Sequence, residues 1–431
     1  MKNIDAALKR LYGENDVSAQ KARYEKAEKA FAELFGEHDD TAVFSASGRT
    51  EIGGNHTDHN RGKVLAAAVS LDVIAFAVPT DDGVITVKSE GFPQDTVDIS
   101  DLSVREADKN TSAALIRGVS DAFKRDGLTI GGFKAYTTSN VLKGSGISSS
   151  AAFEVLIGTI LSHFYNGGSV SPVKVAQFAQ YAENAHFGKP SGLMDQMASS
   201  VGGFIEIDFK DTANPVIDSI SYDFSASGYS LCIVDTKGSH ADLTPEYAAI
   251  PPEMKSVAKF FGKSELRDIT REMLWENIAE VRKVCGDRAV SRALHFFDEN
   301  ERVDRESAAL KNGDINAFLR EVAASGNSSF KYLQNIFASV DTREQGMVLG
   351  LYTAERILNG RGACRVHGGG FAGTIQAFVP NDMLDKFTAE MEHLFGAGSC
   401  YNLFIRPLGG TRLSLDPCST PKLNTVYRTS A

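Results

Sequence analysis

Three segments of the chain carry residue types that suit chemistry. In the first, Val141 to Ala152, two glycines and four serines (Gly144, Ser145, Gly146, Ser148, Ser149, Ser150) stand between a predicted strand, Gly132 to Ser139, and an apolar run from Phe153 to Leu161 that reads as a buried helix. Glycines let the backbone come close to a ligand, and serines at a helix N-terminus offer hydroxyls and unpaired N–H groups where the helix dipole favours an anion. The pattern suits a phosphate, although a serine-capped helix after an ordinary glycine turn uses the same residues. It is neither a Walker A loop, since no Lys-Ser or Lys-Thr follows the glycines, nor a dinucleotide fingerprint, since the third glycine is missing.

The second segment, Ser47 to Gly62, reads as a long polar, glycine-rich loop carrying Arg49, Asn55, His56, Asp58 and His59. The third is the glycine cluster His367 to Gly373. Together they suggest the walls of one cleft. Phosphoryl transfer requires a backbone cradle, a metal held by oxygen ligands, a cation for the charge on the moving group, and a carboxylate near the attacking hydroxyl. Arg49, Glu183 and Asp195 are the candidates. Each also has an ordinary reading: a surface arginine, a solvated helix residue, and an N-cap for a helix from Gln196 to Ser200. His56 and His59 lack the further ligands and the helical context of a zinc site. With Asp58, a loop histidine is better suited to binding the hydroxyls of a sugar.

The elements that must position these residues follow from periodicity. Ser18 to Phe35 is an amphipathic helix, and Ala42 to Ala46 a short strand feeding the polar loop. Val64 to Val78, a turn at Asp81-Asp82-Gly83, and Val84 to Val87 read as a β-hairpin region. Helices are predicted over Thr111 to Lys124 and Val173 to Ala185. Leu231 to Asp235 is a buried strand, Met254 to about Gly326 is mostly helical, and so is Gln345 to Leu358. A strand, glycine turn, strand unit surrounds the third cluster, with a helix from Asp382 to Leu394 and a last strand at Leu403 to Ile405. After Pro407 the pattern is weak.

At 431 residues with a net charge of -10, the chain is long for one core. Two α+β domains are expected, residues 1–215 and 216–431, with the ligand cleft between them. Dispersed Lys and Arg residues argue against a nucleic-acid or anionic membrane surface. Five scattered cysteines without a CxxC pair suit a reducing cytoplasm, and no apolar run reaches the roughly 20 residues of a membrane span. A soluble cytoplasmic monomer is the expectation.

Gly48-Arg49 through Gly62, Gly144 to Ala152 and Gly368 to Gly373 resemble, in order and spacing, the three motifs of the GHMP small-molecule kinases. The first is similar to the galactokinase signature. Lesser similarities lie at Ala182-Glu183, Gly188 to Gln196, Pro245-Glu246-Tyr247, Leu266 to Thr270, and His295 with Glu299 to Arg302. The resemblance implies a two-domain α+β kinase with ATP, Mg²⁺ and a sugar in the interdomain cleft. It implies that Asp195 orients or deprotonates the anomeric hydroxyl and that Arg49 stabilises transition-state charge. Ser149 and Glu183 would hold Mg²⁺. Gly144, Ser145, Gly146 and the Ser148 to Ser150 amides would wrap the phosphates, Asn55, His56, Asp58 and Tyr247 would bind the sugar, and Gly369, Gly370 and Phe371 would line the cleft.

Departures from that family bear on the substrate. Asn55 stands where galactokinases usually have Glu at the C6 end of galactose, and Glu51 where they usually have Asn. His59 replaces a Tyr, Leu142 a Pro, and Ala372 a Gly that matters if the position needs a positive φ. Galactose is therefore the expected substrate, with galacturonate, N-acetylgalactosamine or arabinose as alternatives. A non-catalytic sugar sensor is the rival from another class, opposed by the intact Ser148 to Ala152 cradle.

Overall fold

The computed structural model describes residues 4–141, 147–238, 244–337 and 342–413. Gly144, Ser145 and Gly146 of the expected cradle lie outside them. Seven strands begin the chain's sheet structure: β1 (Ala42–Gly53), β2 (Lys63–Thr80), β3 (Val84–Ser89), β4 (Gln94–Asp98), β5 (Gly132–Ser139), β6 (Phe204–Asp208) and β7 (Val216–Ile220). A second sheet uses β8 (Tyr229–Asp235), β9 (Ala363–His367), β10 (Thr374–Pro380) and β11 (Cys400–Leu403), in the order β11-β8-β10-β9. The last strand, β12 (Thr411–Leu413), returns to pair with β1 in the first sheet. The weakly patterned tail thus contributes a strand before residues 414–431, which lie outside the description.

β2 is one long strand because nothing between Val64 and Val78 can turn the chain: the run holds no glycine, proline or asparagine. It pairs along β1, with β6 at its start and with β5 from Val73 onward. The expected hairpin with β3 does not form. β5 inserts between them, antiparallel to β2 and parallel to β3, burying Phe133 and Ala135 completely. β1 also runs further than its apolar stretch. Register shifts at Ser47/Arg49 and Glu51/Gly53 let the polar residues continue the ladder, so Arg49 stands on a strand and the loop proper is short.

One continuous core joins the sheets, with Phe224 packing edge-on between Phe204 of β6 and Phe378 of β10. The hairpin of β6 and β7 straddles residue 215, so the first sheet continues to Ile220. A separate helical cluster includes Ile250, Met254, Leu266 and Phe296, and Phe371 is buried in it. The ring of Phe371 therefore belongs to the core and does not line the cleft. In the third glycine turn the positive φ angles fall on Gly368, Gly370, Phe371 and Gly373, so alanine at 372 carries no backbone strain.

The helix Val17–Phe35 matches its amphipathic pattern and is preceded by a helix the pattern missed, Asp5–Tyr12. Both are tied to the sheet through Asp72, the one charged residue between Val64 and Thr80 in β2. Its carboxylate takes Arg23 at 2.6 Å, Arg406 at 3.0 Å and the Tyr12 hydroxyl at 2.5 Å. Burial alone would raise the Asp72 pKa, but the two guanidiniums hold it below its ordinary value. No helix among the described residues is long and apolar enough to cross a membrane.

Candidate active site

Arg49 leaves β1 at its first register shift, where its backbone N–H donates to the Ile147 carbonyl at 3.1 Å. That bond fixes β1 against the start of the Ser149–Tyr165 helix. Across from it, Asp195 is the second residue of the Met194–Val201 helix, whose N-cap position is Leu193, so Asp195 does not serve as the cap. The Arg49 Nε–H donates to Asp195 Oδ1 at 2.6 Å, and the Ser148 hydroxyl donates to Oδ2. Burial pushes the Asp195 pKa up, but Arg49, Ser148 and Lys189 outweigh it, and the carboxyl titrates below its ordinary value. The result is a firmly ionised, weakly basic carboxylate whose side chain is one-third exposed.

Glu183 sits in a wide turn of π geometry, Ala182–Phe187, a type often found where function fixes a helix end. It is buried, and its Oε1 accepts the Ser150 hydroxyl at 3.1 Å and the Lys189 ammonium at 2.9 Å. The serine brought to Glu183 is therefore Ser150, which corrects the expected pairing with Ser149. Successive residues of a helix point roughly 100° apart, so the two hydroxyls cannot share one direction. Ser148 takes a left-handed backbone with φ 58° at the helix N-cap and turns its hydroxyl to Asp195 instead.

The sugar-side candidates divide. His56 Nε2–H donates to the Gly369 carbonyl at 2.9 Å, so Nδ1 carries the lone pair, buried and with no partner in the fold. Its ring lies 5.2 Å from that of Tyr247. Tyr247 in turn rests on Gly369, where any side chain would collide with the ring. Gly192 is needed for the same reason, since a Cβ there would come 2.7 Å from Asp58 Oδ2. Burial and the charges of Asp58, Asp195 and Glu51 push the Tyr247 phenol up to about 12, so it stays a hydroxyl at neutral pH. His56, Asp58, Tyr247, Arg49 and Asp195 are thus brought together.

Asn55 is not with them. Its amide donates to Glu51 Oε1 and to the Gly368 carbonyl, both at 2.8 Å, and accepts from Asn335 at 2.8 Å and Ser329 at 3.3 Å. With 1% of its surface exposed, it has no capacity left for a sugar hydroxyl. It is a strut between the polar loop and the third glycine turn, which corrects its expected place at the substrate. Glu51 completes the strut through Arg365 at 3.1 Å. The His295 and Glu299 matches brace the same loop, His295 at the Asn55 carbonyl and Glu299 at the Gly54 N–H. Asn335 and Arg365 carried no signal in the sequence, because they lie in stretches whose pattern speaks only of packing.

Buried histidines give this region a pH signature. His56 and His367 are both driven down to about 3, by burial first and then by His59 for the one and Arg49 for the other. The unfolded chain protonates them near 6.5, so below that pH it binds more protons than the fold, and their contribution to stability falls as pH falls toward 3. Burial moves Glu154 and Glu306 the other way, so only a difference isolates the histidines. Relative to a His367→Gln variant, the parent protein is expected to lose about 1.4 kcal/mol per pH unit between pH 6 and 4. Urea unfolding of the two proteins at several pH values checks this, and parallel curves would contradict it.

Comparison with known proteins agrees with the geometry. The galactokinase galactose-binding signature matches residues 29–79, and the GHMP kinase N-terminal domain matches residues 114–203. A galactokinase of Streptomyces coelicolor is 30% identical over 369 residues, covering 85% of this chain and 92% of its own. The crystal structure of Lactococcus lactis galactokinase complexed with galactose superposes with a TM-score of 0.75 at 24% identity, over 90% of this chain and 99% of that one. Methanococcus jannaschii mevalonate kinase shares the fold with a TM-score of 0.60 at 15% identity, over 86% and 99%. Identity at this level over nearly the whole chain, on a fold that brings Arg49 and Asp195 into one ion pair, shows that the chain belongs to the galactokinase family of GHMP kinases.

Proposed function

We propose that this protein transfers the γ-phosphoryl group of ATP to the anomeric hydroxyl of galactose, giving galactose 1-phosphate and ADP. The observation that carries the reading is the Arg49–Asp195 pair at 2.6 Å, flanked by Ser148 on one side and by His56, Asp58 and Tyr247 on the other. The sugar hydroxyl takes the place of one donor on Asp195 and lies against Arg49. Asp195 is too weak a base to strip the proton from a free hydroxyl. It orients the O–H and receives the proton as the new P–O bond forms and the bond to ADP breaks. Arg49 offsets charge on the oxygens of the moving group. His56 accepts a sugar hydroxyl at Nδ1, while Asp58 and Tyr247 hold others.

The amides of Ser148, Ser149 and Ser150 bind phosphate oxygens at the helix N-terminus, with Gly144, Ser145 and Gly146 of the same motif. Ser150 and Glu183 are hard oxygen donors fit for Mg²⁺, and the partner of Glu183, Lys189, reaches in from the surface. Among the described residues no group of three or more His, Cys, Asp or Glu side chains could hold a metal. Two protein oxygens plus nucleotide phosphates are the usual Mg²⁺ set in such a site. The bound ion supplies neutralisation of phosphate charge. The protein acts as a cytoplasmic monomer of two units, the first running through β7 to Ile220 and completed by β12 from the end of the described chain.

An ADP-release assay across galactose, galacturonate, N-acetylgalactosamine and arabinose tests this. Galactose is expected to give the highest kcat/KM. Faster turnover of another sugar would overturn the substrate, and release with none of them would overturn the enzyme reading in favour of a sensor.

A further inference from the structure

Behind Glu183 lies a group of polar side chains that the proposed chemistry does not use. Gln196, fully buried, donates from one Nε2 to two carboxylates, Glu183 Oε2 at 2.8 Å and Glu154 Oε2 at 3.1 Å. Glu154 is itself fully buried, one helical turn beyond Ser150 on the Ser149–Tyr165 helix. Its Oε1 and the Gln196 Oε1 are both buried without a partner in the fold. A core placed only for packing would fill this space with apolar groups, because each unmet buried polar atom is costly. The position is also unusual in what it connects. Glu183 Oε1 faces Ser150 and Lys189, whereas its Oε2 is held from behind by Gln196, the residue directly after Asp195.

We infer that Gln196, backed by Glu154, is a positioning residue. It fixes the orientation of the Glu183 carboxylate with Oε1 on the Ser150 side, where Mg²⁺ would be held, and ties that orientation to the helix that carries Asp195. The inference rests on the proposed metal role of Glu183. A carboxylate free to rotate spends only part of its time with a lone pair directed at a bound ion. Partners behind a metal ligand typically change affinity by about 10–100-fold when removed. The bidentate reach of the Gln196 amide explains why glutamine stands here, since a hydroxyl or a shorter amide cannot span both carboxylates. The bridge also leaves the sugar side untouched, because none of its bonds involve His56, Asp58 or Tyr247.

The test measures Mn²⁺ affinity by electron paramagnetic resonance in the presence of a non-hydrolysable ATP analogue, alongside galactose affinity by calorimetry. Gln196→Leu, with similar volume and no donors, is expected to weaken Mn²⁺ binding by about 10–100-fold while galactose affinity stays within about twofold. Glu154→Gln, which keeps an acceptor for Gln196, is expected to retain most of the affinity. If Gln196→Leu does not fold, Gln196→Asn keeps the amide but shortens its reach, and the same weakening is expected. Unchanged Mn²⁺ affinity in the folded Gln196 variant, with affinity abolished by Glu183→Ala, overturns this inference alone. Unchanged affinity in both overturns the metal role of Glu183 and this inference with it.

Discussion

Asp195→Asn is expected to lower kcat by about 10²–10⁴-fold while leaving the KM for sugar within a few-fold. The amide oxygen can still accept from Arg49 Nε, now at 2.6 Å, and the amide N–H₂ can donate to Ser148, so the shape of the site survives. What goes is the negative charge. Without it the hydroxyl proton has no basic acceptor as the P–O bond forms, and Arg49 keeps its hydrogen bond but loses its ion pair. Steady-state kinetics with galactose and a binding isotherm for the sugar check both halves. Near-normal turnover would remove Asp195 from the mechanism, and loss of sugar binding with turnover would mean that the charge acts in the ground state.

Asn55→Glu is expected to destabilise the fold by about 3–5 kcal/mol, because it sets a second buried carboxylate against Glu51, whose ion pair with Arg365 must then serve both. The exchange variant Glu51→Asn/Asn55→Glu restores one carboxylate and one amide across the same 2.8 Å bond. Most of the lost stability should return, giving a coupling energy at the upper end, about 2–3 kcal/mol, of what contacting residues show. Urea unfolding of the parent, both single variants and the double variant measures it, and additive effects would dissolve the pair.

The elements were legible from periodicity wherever one face decides them. Val17–Phe35, Gly132–Ser139 and the strands flanking the third glycine turn needed only local pattern. Pairing was not legible. Apolar runs such as Val64 to Val78 say that a strand is buried but not which strand lies beside it, so the placement of β5 between β2 and β3 appears only in the sheet. The same holds for Arg49, whose polar neighbours read as loop until register shifts keep them on β1.

By itself the chain's sequence determined the chemistry on offer: a serine cradle, an arginine, an ionisable pair at Glu183 and Asp195, and a loop of sugar-binding types, in an order that resembles one kinase family. The tertiary structure alone decided which of these groups meet. It gave Ser150 rather than Ser149 to Glu183 and withdrew Asn55 from the ligand side, binding it to Glu51, Asn335 and Gly368. It also put Gln196 behind the Glu183 carboxylate. The reason is physical. Residue type sets what a side chain can donate, accept or ionise, whereas direction and burial depend on helix phase, strand register and partners far along the chain, which local spacing does not encode.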